Sequence, residues 1–282
     1  MESIEELKKI CQGTIHKDVS NIYMRYVCRP LSIHFTRMLL PTAVTADQVS
    51  QAMIASGFLA VFVLSFPAKA AFMVGAILLQ VWYLIDSMDG EVARYRYYQK
   101  TGRISIDKRD ASLTGMYYDM INHYLMNFLV PVAVAFGQFA KTGSWLVLWA
   151  GTAASLGQVL LLAMHDARCR AVLSHLKKYS AIRVIPSGLK NEKVSQPFNL
   201  AKFTFSALHY SMTYPTVMNL VLVAAFLDYF VPQTDWRNGL LIFLSAGSVM
   251  VSTVLIVRAI RLRVPDQEFT SEFSVLDQPA NS

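Results

Sequence analysis

Long runs of apolar residues with almost no charge recur along the chain, and they constrain its fold more than any other feature. Several of them approach the roughly 20 residues that a helix needs to cross a bilayer. The chain is 54% hydrophobic and only 16% charged, whereas soluble domains average about 25% charged residues. The sequence therefore predicts an all-α integral membrane protein.

Six of these runs are long enough to predict six transmembrane helices. The expected spans are 45–66, 70–92, 113–138, 144–165, 203–230 (interrupted at Pro215) and 238–260. Lys and Arg concentrate in the N-terminal region and in 94–110, 166–202 and 258–263. The turns on the opposite side hold little more than Lys69, Lys141 and Arg237. Since basic loops stay in the cytoplasm, we expect both termini there, in a plasma or inner membrane.

Amphipathic segments precede the first span. Residues 1–18 carry apolar side chains at helical spacing, and the stretch that follows is apolar but interrupted by arginines, as in a helix that lies in the membrane interface. Thr45 is the expected N-cap of the first span. The predicted organisation is 1–44 for the N-terminal amphipathic and interfacial helices, 45–262 for the six-helix domain and 263–282 for a polar C-terminal tail.

The net charge of +7 and the three cysteines exclude several classes. The basic residues lie between apolar runs, so we interpret them as topology signals and as a surface for anionic headgroups. We therefore expect no nucleic-acid partner. The cysteines form no CxxC pair, and they indicate neither a disulfide framework nor a zinc site.

Acidic residues at the end of the second span are the strongest functional signal, because charge near bilayer depth is costly. A helix advances by about 100° per residue, so Asp86, Asp89, Gly90 and Ala93 share one face. Arg94 lies just beyond this face, and its guanidinium fork suits phosphate oxygens. This helix end therefore combines acidic side chains with an arginine that can bind phosphate.

The third span carries a matching face. Gly115, Asp119 and His123 recur at every fourth position, close to the same side of the membrane, so the two faces can converge. Three carboxylates and an imidazole suit hard divalent cations such as Mg²⁺ or Mn²⁺, and we expect one or two ions. The combination predicts chemistry on a phosphate.

These residues resemble the signature of the CDP-alcohol phosphotransferase family, which is DxxDGxxAR followed by GxxxDxxxD. The chain reads DSMDGEVAR over 86–94 and GMYYDMINH over 115–123, and the first half matches at every defining position. Residues 45–50, TADQVS, are similar to the family's TPNQVT at the entry to its first span, with Ala46, Asp47 and Ser50 as substitutions.

The resemblance implies a fold, a reaction and partners. Family members have six transmembrane helices, usually form homodimers and hold two divalent ions at the cytoplasmic membrane boundary. The ions bind the diphosphate of a CDP-alcohol, often CDP-diacylglycerol, and a second alcohol attacks the phosphate so that CMP leaves. This reaction serves phospholipid biosynthesis.

By the same resemblance, each motif position acquires an expected role. Asp86, Asp89 and Asp119 would be metal ligands. The substrate pocket would be lined by Gly90, Ala93, Arg94 and Gly115, with Asp47 at the entry to the first span.

His123 departs from the pattern, because it stands where the family has its last aspartate. That aspartate helps to bind metal and is thought to deprotonate the acceptor alcohol. An imidazole can accept a proton near neutral pH or bind one metal, but it cannot bridge two ions. His123 is therefore expected to be a metal ligand, the catalytic base or both, while a catalytically silent relative acting as a membrane scaffold is the alternative.

Two further alternatives concern the alignment and the class of protein. The stretch between Arg94 and Gly115 is longer than the family's usual spacing, and a second alignment uses Gly102 with Asp107 and Asp110. We reject it because Asp107 follows Gly102 by five residues rather than four. A metal or solute transporter is disfavoured because the acidic residues occupy two helix ends on one side.

The sequence does not select among the family's acceptor alcohols. These are serine, glycerol phosphate, inositol, inositol phosphate and choline. The basic segment 166–202 favours an anionic one.

Overall fold

The computed structural model describes residues 2–13, 22–104, 113–179, 182–184, 199–231 and 233–275, and this part of the chain is almost entirely helical. The predicted all-α membrane fold is confirmed. Among the described residues, five helices are long and apolar enough to cross a membrane, and the number is six where a bent pair of helices is counted as one span.

The N-terminal region begins with short helical segments. They are α1 (Ile4–Leu7), a π-helical turn (Lys8–Gln12), a second π-helical turn (Met24–Cys28) and α2 (Arg29–Leu39). The chain turns at Gly13, whose φ of +36° favours glycine. Residues 14–18 of the predicted N-terminal helix lie outside the described residues.

The membrane domain follows. Its helices are α3 (Ala46–Leu64), α4 (Lys69–Thr101), α5 (Leu113–Thr142), α6 (Trp145–Leu176), α7 (Leu200–Ser211), α8 (Thr216–Phe230) and α9 (Trp236–Arg261). As predicted, Thr45 caps α3, and its Oγ1 accepts a hydrogen bond from the amide of Gln48 at 3.3 Å. The α7–α8 pair bends by 77° at the predicted break, and Pro215 cannot continue a helix because it lacks an N–H.

Two helices run further than the apolar runs predict. The second span was expected to end at residue 92, but α4 continues to Thr101 and ends at Gly102, which has a left-handed φ of +68°. Likewise α6 continues to Leu176. The hydropathy pattern marks where lipid contact ends, whereas the helix continues as long as its hydrogen bonds and packing persist. Asp107 and Asp110 of the rejected alignment lie outside the described residues.

Close packing between helices positions α4 and α5, which carry the two acidic motifs. A Cβ added to Gly57 of α3 would lie 3.0 Å from Trp82 Cδ1 and 2.8 Å from Met126 Sδ. Glycine at this position therefore lets α3 approach α4 and α5 together. A Cβ added to Gly157 of α6 would lie 2.3 Å from Ser248 Oγ, so glycine also sets the approach of α6 to α9.

Arg237 was counted as a basic residue of a turn, but the structure buries it. Its side chain is 1% exposed, its Cζ lies 4.1 Å from the centre of the Phe72 ring, and its Nη1 donates to the carbonyl of Phe66 at 3.1 Å. It closes the end of the bundle opposite the acidic motif.

The segment after α9 is more ordered than a polar tail. It forms α10 (Val264–Glu272) and then β2 (Phe273–Val275), which pairs antiparallel with β1 (Ile182–Val184). The segment packs on the end of α6. Residues 276–282 lie outside the described residues.

The cysteines are free thiols, with Cys11 and Cys28 buried and Cys169 exposed. Burial raises the pKa of the Cys11 thiol to about 12, and burial also raises the pKa of Cys28 to about 12. Both are therefore protonated and unreactive at neutral pH.

Candidate metal and phosphate site

The two predicted faces meet at the ends of α4 and α5. His123 Nε2 lies 3.1 Å from Asp119 Oδ1 and 3.6 Å from Asp86 Oδ1. One ligand atom from each of these three residues lies within 4.8 Å of the others. We call Asp86, Asp119 and His123 the acidic trio.

The trio fits a divalent cation. Two carboxylates at this separation repel each other, and the repulsion is stronger beside an apolar bundle than in water. The exposed fraction is 14% for the Asp86 side chain, 27% for His123 and 53% for Asp119, so the group opens to solvent on one side. Carboxylate oxygens are ligands that suit Mg²⁺ and Mn²⁺, whereas an imidazole nitrogen is more typical of transition-metal sites.

The imidazole is held by packing as well as by charge. The ring of His123 meets the ring of Trp82 edge to face, with centroids 5.8 Å apart. Trp82 is fully buried, and its Nε1 donates to Oδ1 of Asn122 at 3.4 Å. Trp82 also packs edge to face with Tyr214, at 5.9 Å. The orientation of His123 is therefore set by α4 and by the bend before α8.

Asp89 was predicted as a third aspartate ligand, but it is not part of the acidic trio. Its Oδ2 accepts a hydrogen bond of 2.6 Å from Ser50 Oγ on α3, and Ser50 is almost fully buried. One of the residues that depart from the TPNQVT pattern therefore positions a motif carboxylate.

Arg94 and Gly90, which the resemblance assigns to the substrate pocket, lie next to each other on α4. The Nε of Arg94 donates to the backbone carbonyl of Cys11, so the N-terminal segment fixes this guanidinium. A Cβ added to Gly90 would lie 3.0 Å from Arg94 Nη1. Glycine at this position thus lets the arginine fold back along its own helix.

The remaining predicted residues lie on α3, α4 and α5, the same helices that carry the residues described above. Ala93 and Gly115 are half-buried, on α4 and α5 respectively, and Asp47 is exposed in the first turn of α3. None of the three belongs to the trio.

Comparisons with known proteins add no assignment. No protein-family model matches the chain, and no curated protein matches it. The likeness to the CDP-alcohol phosphotransferase signature therefore remains a prediction from the residues.

The sequence analysis missed the role of Glu91, which lies inside the motif. Its side chain is 1% exposed. Oε1 accepts from Gln12 Nε2 at 2.7 Å and from Ser32 Oγ at 2.6 Å, while Oε2 accepts from Thr36 Oγ1 at 2.7 Å. The hydrogen bonds of Glu91 therefore connect α4 to the π-helical turn at Lys8–Gln12 and to α2. A charged residue amid an apolar helix was visible in the sequence, but its distant partners were not.

A cavity adjoins the trio on the side away from α3. Its volume is about 910 Å³, and His123 and Asn127 line one end of it. The imidazole therefore lies between the two carboxylates and a partly open cavity that is large enough for a small molecule.

Proposed function

We propose that this chain is a membrane CDP-alcohol phosphotransferase, which transfers a substituted phosphate from a CDP-alcohol to a second alcohol and releases CMP. The observation that carries the proposal is the acidic trio. Two motif halves that are separated in sequence bring Asp86 beside Asp119 and His123, as a metal-assisted phosphate site requires.

Each side chain has a distinct task in this proposal. Asp86 and Asp119 would hold a Mg²⁺ or Mn²⁺ ion, with His123 as a third ligand where it does not serve as the base, and Asp89 would hold a second ion. When bound, such ions neutralise charge on the phosphate oxygens. Arg94 would bind a diphosphate oxygen, with the small Gly90 allowing close approach.

The reaction itself needs one proton acceptor. The acceptor's hydroxyl oxygen forms a bond to the phosphorus, the bond from phosphorus to the CMP oxygen breaks, and the hydroxyl proton passes to a base. His123 is the candidate base. A neutral imidazole has one nitrogen lone pair available, and Nε2 is the nitrogen that faces both carboxylates. His123 can therefore act as ligand or as base in one step, but not as both.

The membrane setting favours a lipid donor, and we propose CDP-diacylglycerol in phospholipid biosynthesis. We also propose that the protein is a homodimer whose site faces the cytoplasm. The acceptor would be a small alcohol or a phosphorylated alcohol.

The test is CMP release by the purified protein in detergent, with CDP-diacylglycerol, Mn²⁺ or Mg²⁺ and a panel of alcohols. We expect release that requires metal and one class of alcohol and that is lost in Asp119→Asn. Asp166→Asn is the matched control, because Asp166 lies on α6 and accepts a hydrogen bond from Tyr124 Oη at 2.8 Å, outside the trio.

The opposite result has a definite meaning. If the folded wild-type protein releases no CMP with any lipid-linked or soluble CDP-alcohol, the proposal is wrong. The chain is then better described as a silent relative, in which His123 marks a lost site.

A further inference from the structure

The cavity beside His123 runs from the middle of the bundle to the ends of α6, α9 and α10. His123, Asn127 and Gln158 line its inner part, whereas Arg168, Arg258 and Pro265 line its outer part. Its wall is otherwise mostly apolar. A volume of about 910 Å³ is within the range of small-molecule sites, roughly 300–1,000 Å³.

Apart from the phenol of Tyr214, the ionisable side chains along the described cavity wall are arginines and histidines. Arg168 on α6 and Arg258 on α9 lie at the outer part, and the imidazoles of His165 and His209 also contribute. No aspartate or glutamate is among the described lining residues. Guanidinium groups bind phosphate and carboxylate by charge-assisted hydrogen bonds, so this end of the cavity selects for an anion.

The inner part offers a different kind of contact. Gln158 is 1% exposed, and its Oε1 has no hydrogen-bond partner among the described residues. Buried polar atoms are usually satisfied. An acceptor oxygen in this state, on a residue that lines the cavity, suits the hydroxyl group of a ligand.

A carboxylate of the chain itself already pairs with one of the arginines. Glu268 Oε2 on α10 lies 3.0 Å from Arg168 Nε. The helix that carries Glu268 is held by the edge-to-face packing of Phe269 against His175, with centroids 4.6 Å apart, and by the pairing of β1 with β2. Val264 and Pro265 of the same segment line the cavity. The C-terminal segment therefore both borders the cavity and neutralises one of its cations.

We infer that the outer part of this cavity binds the phosphate of a small phosphorylated alcohol, and that Glu268 pairs with Arg168 until this phosphate displaces it. The inference rests on the proposed function in one respect: we take the ligand to be the alcohol that accepts the phosphate group in that reaction. Its hydroxyl would then lie toward Gln158 and His123, and its phosphate toward Arg168 and Arg258.

The test measures binding without catalysis. The melting temperature of the protein in neutral detergent, without donor or divalent metal, is followed against the concentration of glycerol 3-phosphate, with glycerol as the uncharged comparison. We expect glycerol 3-phosphate to stabilise the wild type and glycerol not to do so. Each variant is compared with its own ligand-free melting temperature, so a change in basal stability does not affect the result.

Two pairs of variants locate the site. Arg168→Gln should abolish the stabilisation, whereas Arg170→Gln, an exposed arginine on the same helix that is outside the described cavity wall, should keep it. Glu268→Gln should lower the half-saturating concentration by about two- to fivefold, because partly exposed ion pairs are weak. Asp266→Asn removes the same charge from the same helix and should leave the concentration unchanged.

A second probe distinguishes a soluble phosphate ester from a phosphate that is carried on a lipid. Dihexanoyl phosphatidic acid presents the same group on a lipid. Stabilisation by either probe that depends on Arg168 supports the anion site, and the probe that acts at lower concentration identifies a soluble or a lipid-linked ligand. Stabilisation by neither probe, or equal stabilisation of Arg168→Gln, overturns the inference.

The outcome is separable from that of the proposed function. Binding without CMP release under any condition would leave the anion site standing and contradict the enzyme. CMP release with an uncharged alcohol, combined with no binding of either phosphate probe, would support the enzyme and contradict the anion site.

Discussion

Two acidic centres lie less than two turns apart on α4, and they differ in what surrounds them. Glu91 is buried, and three hydroxyl or amide donors of the N-terminal segments bind its two oxygens at 2.6–2.7 Å. Asp86 instead lies near a second carboxylate, that of Asp119, and both carboxylates contact the imidazole of His123. Three neutral donors bind the carboxylate of the first centre, whereas the second centre brings two carboxylates together.

We interpret this difference as one between a structural role for Glu91 and the functional role that we propose for Asp86. A buried carboxylate with complete hydrogen bonds stabilises the contact between the segments that supply the donors. A pair of carboxylates at the edge of the bundle gains most from a cation that is not part of the chain. Substitutions at four positions can break or sharpen this distinction.

Asp86→Asn should have the largest effect. It removes one charge of the trio, and we expect CMP release to fall by at least about 100- to 1,000-fold, as when a preorganised electrostatic contact is lost. The melting temperature should hold or rise, because repulsion within the trio decreases. CMP release and melting temperature are measured on the same preparation. An Asp86→Asn protein that keeps its activity would mean that the trio takes no part in the reaction.

His123→Ala and His123→Asp should have the next largest effect. If His123 is the base, alanine costs about 100-fold or more in CMP release, with little change in the half-saturating Mn²⁺ concentration. Aspartate restores the family pattern and can bridge two ions, so it should lower that concentration. A metal requirement that alanine raises, with an unchanged maximal rate, would instead make His123 a ligand.

Some of this arrangement could be predicted from sequence because it depends on local rules. Uncharged runs place the spans, including the break at Pro215, and the helical period puts Asp119 and His123 on one face. Other features depend on contacts between distant segments. Ser32 and Thr36 reach Glu91 only because α2 packs on α4, and Asp89 turns toward Ser50 only because α3 lies alongside.

The limits of the apolar pattern have the same origin. Composition indicates where lipid ends but not where a helix ends, so it missed the continuation of α4 to Thr101 and of α6 to Leu176. It also missed α10, whose position depends on packing against α6 and on the pairing of β1 with β2. Charge alone placed Arg237 in a turn, although the Phe72 ring and backbone carbonyls make its burial possible.

Glu91→Gln should affect stability more than chemistry. The amide lacks the charge that strengthens three hydrogen bonds, and its NH₂ group faces a donor, so we expect a loss of about 2 kcal/mol in the free energy of unfolding. CMP release measured well below the melting temperature should stay within a few-fold of the wild type. A loss of activity as large as that of Asp86→Asn, without a change in melting, would place Glu91 in the reaction instead.

Ser50→Ala should have the smallest effect, and it tests whether Asp89 belongs to the metal site. The hydroxyl of Ser50 orients the Asp89 carboxylate at 2.6 Å, and removing such a supporting group typically weakens metal affinity by about 10- to 100-fold. We expect the half-saturating Mn²⁺ concentration to rise toward the lower end of that range, while the rate at saturating metal is largely kept.

Ser56→Ala is the matched control, because Ser56 lies on the same helix and its hydroxyl donates to the carbonyl of Met53, away from the site. An equal metal requirement in both variants would mean that Asp89 holds no ion. The centre would then consist of the trio alone, with a single cation, and His123 would matter chiefly as a ligand of that ion. A raised requirement in Ser50→Ala only would instead extend the site to the entry of α3, where the chain departs from the family pattern.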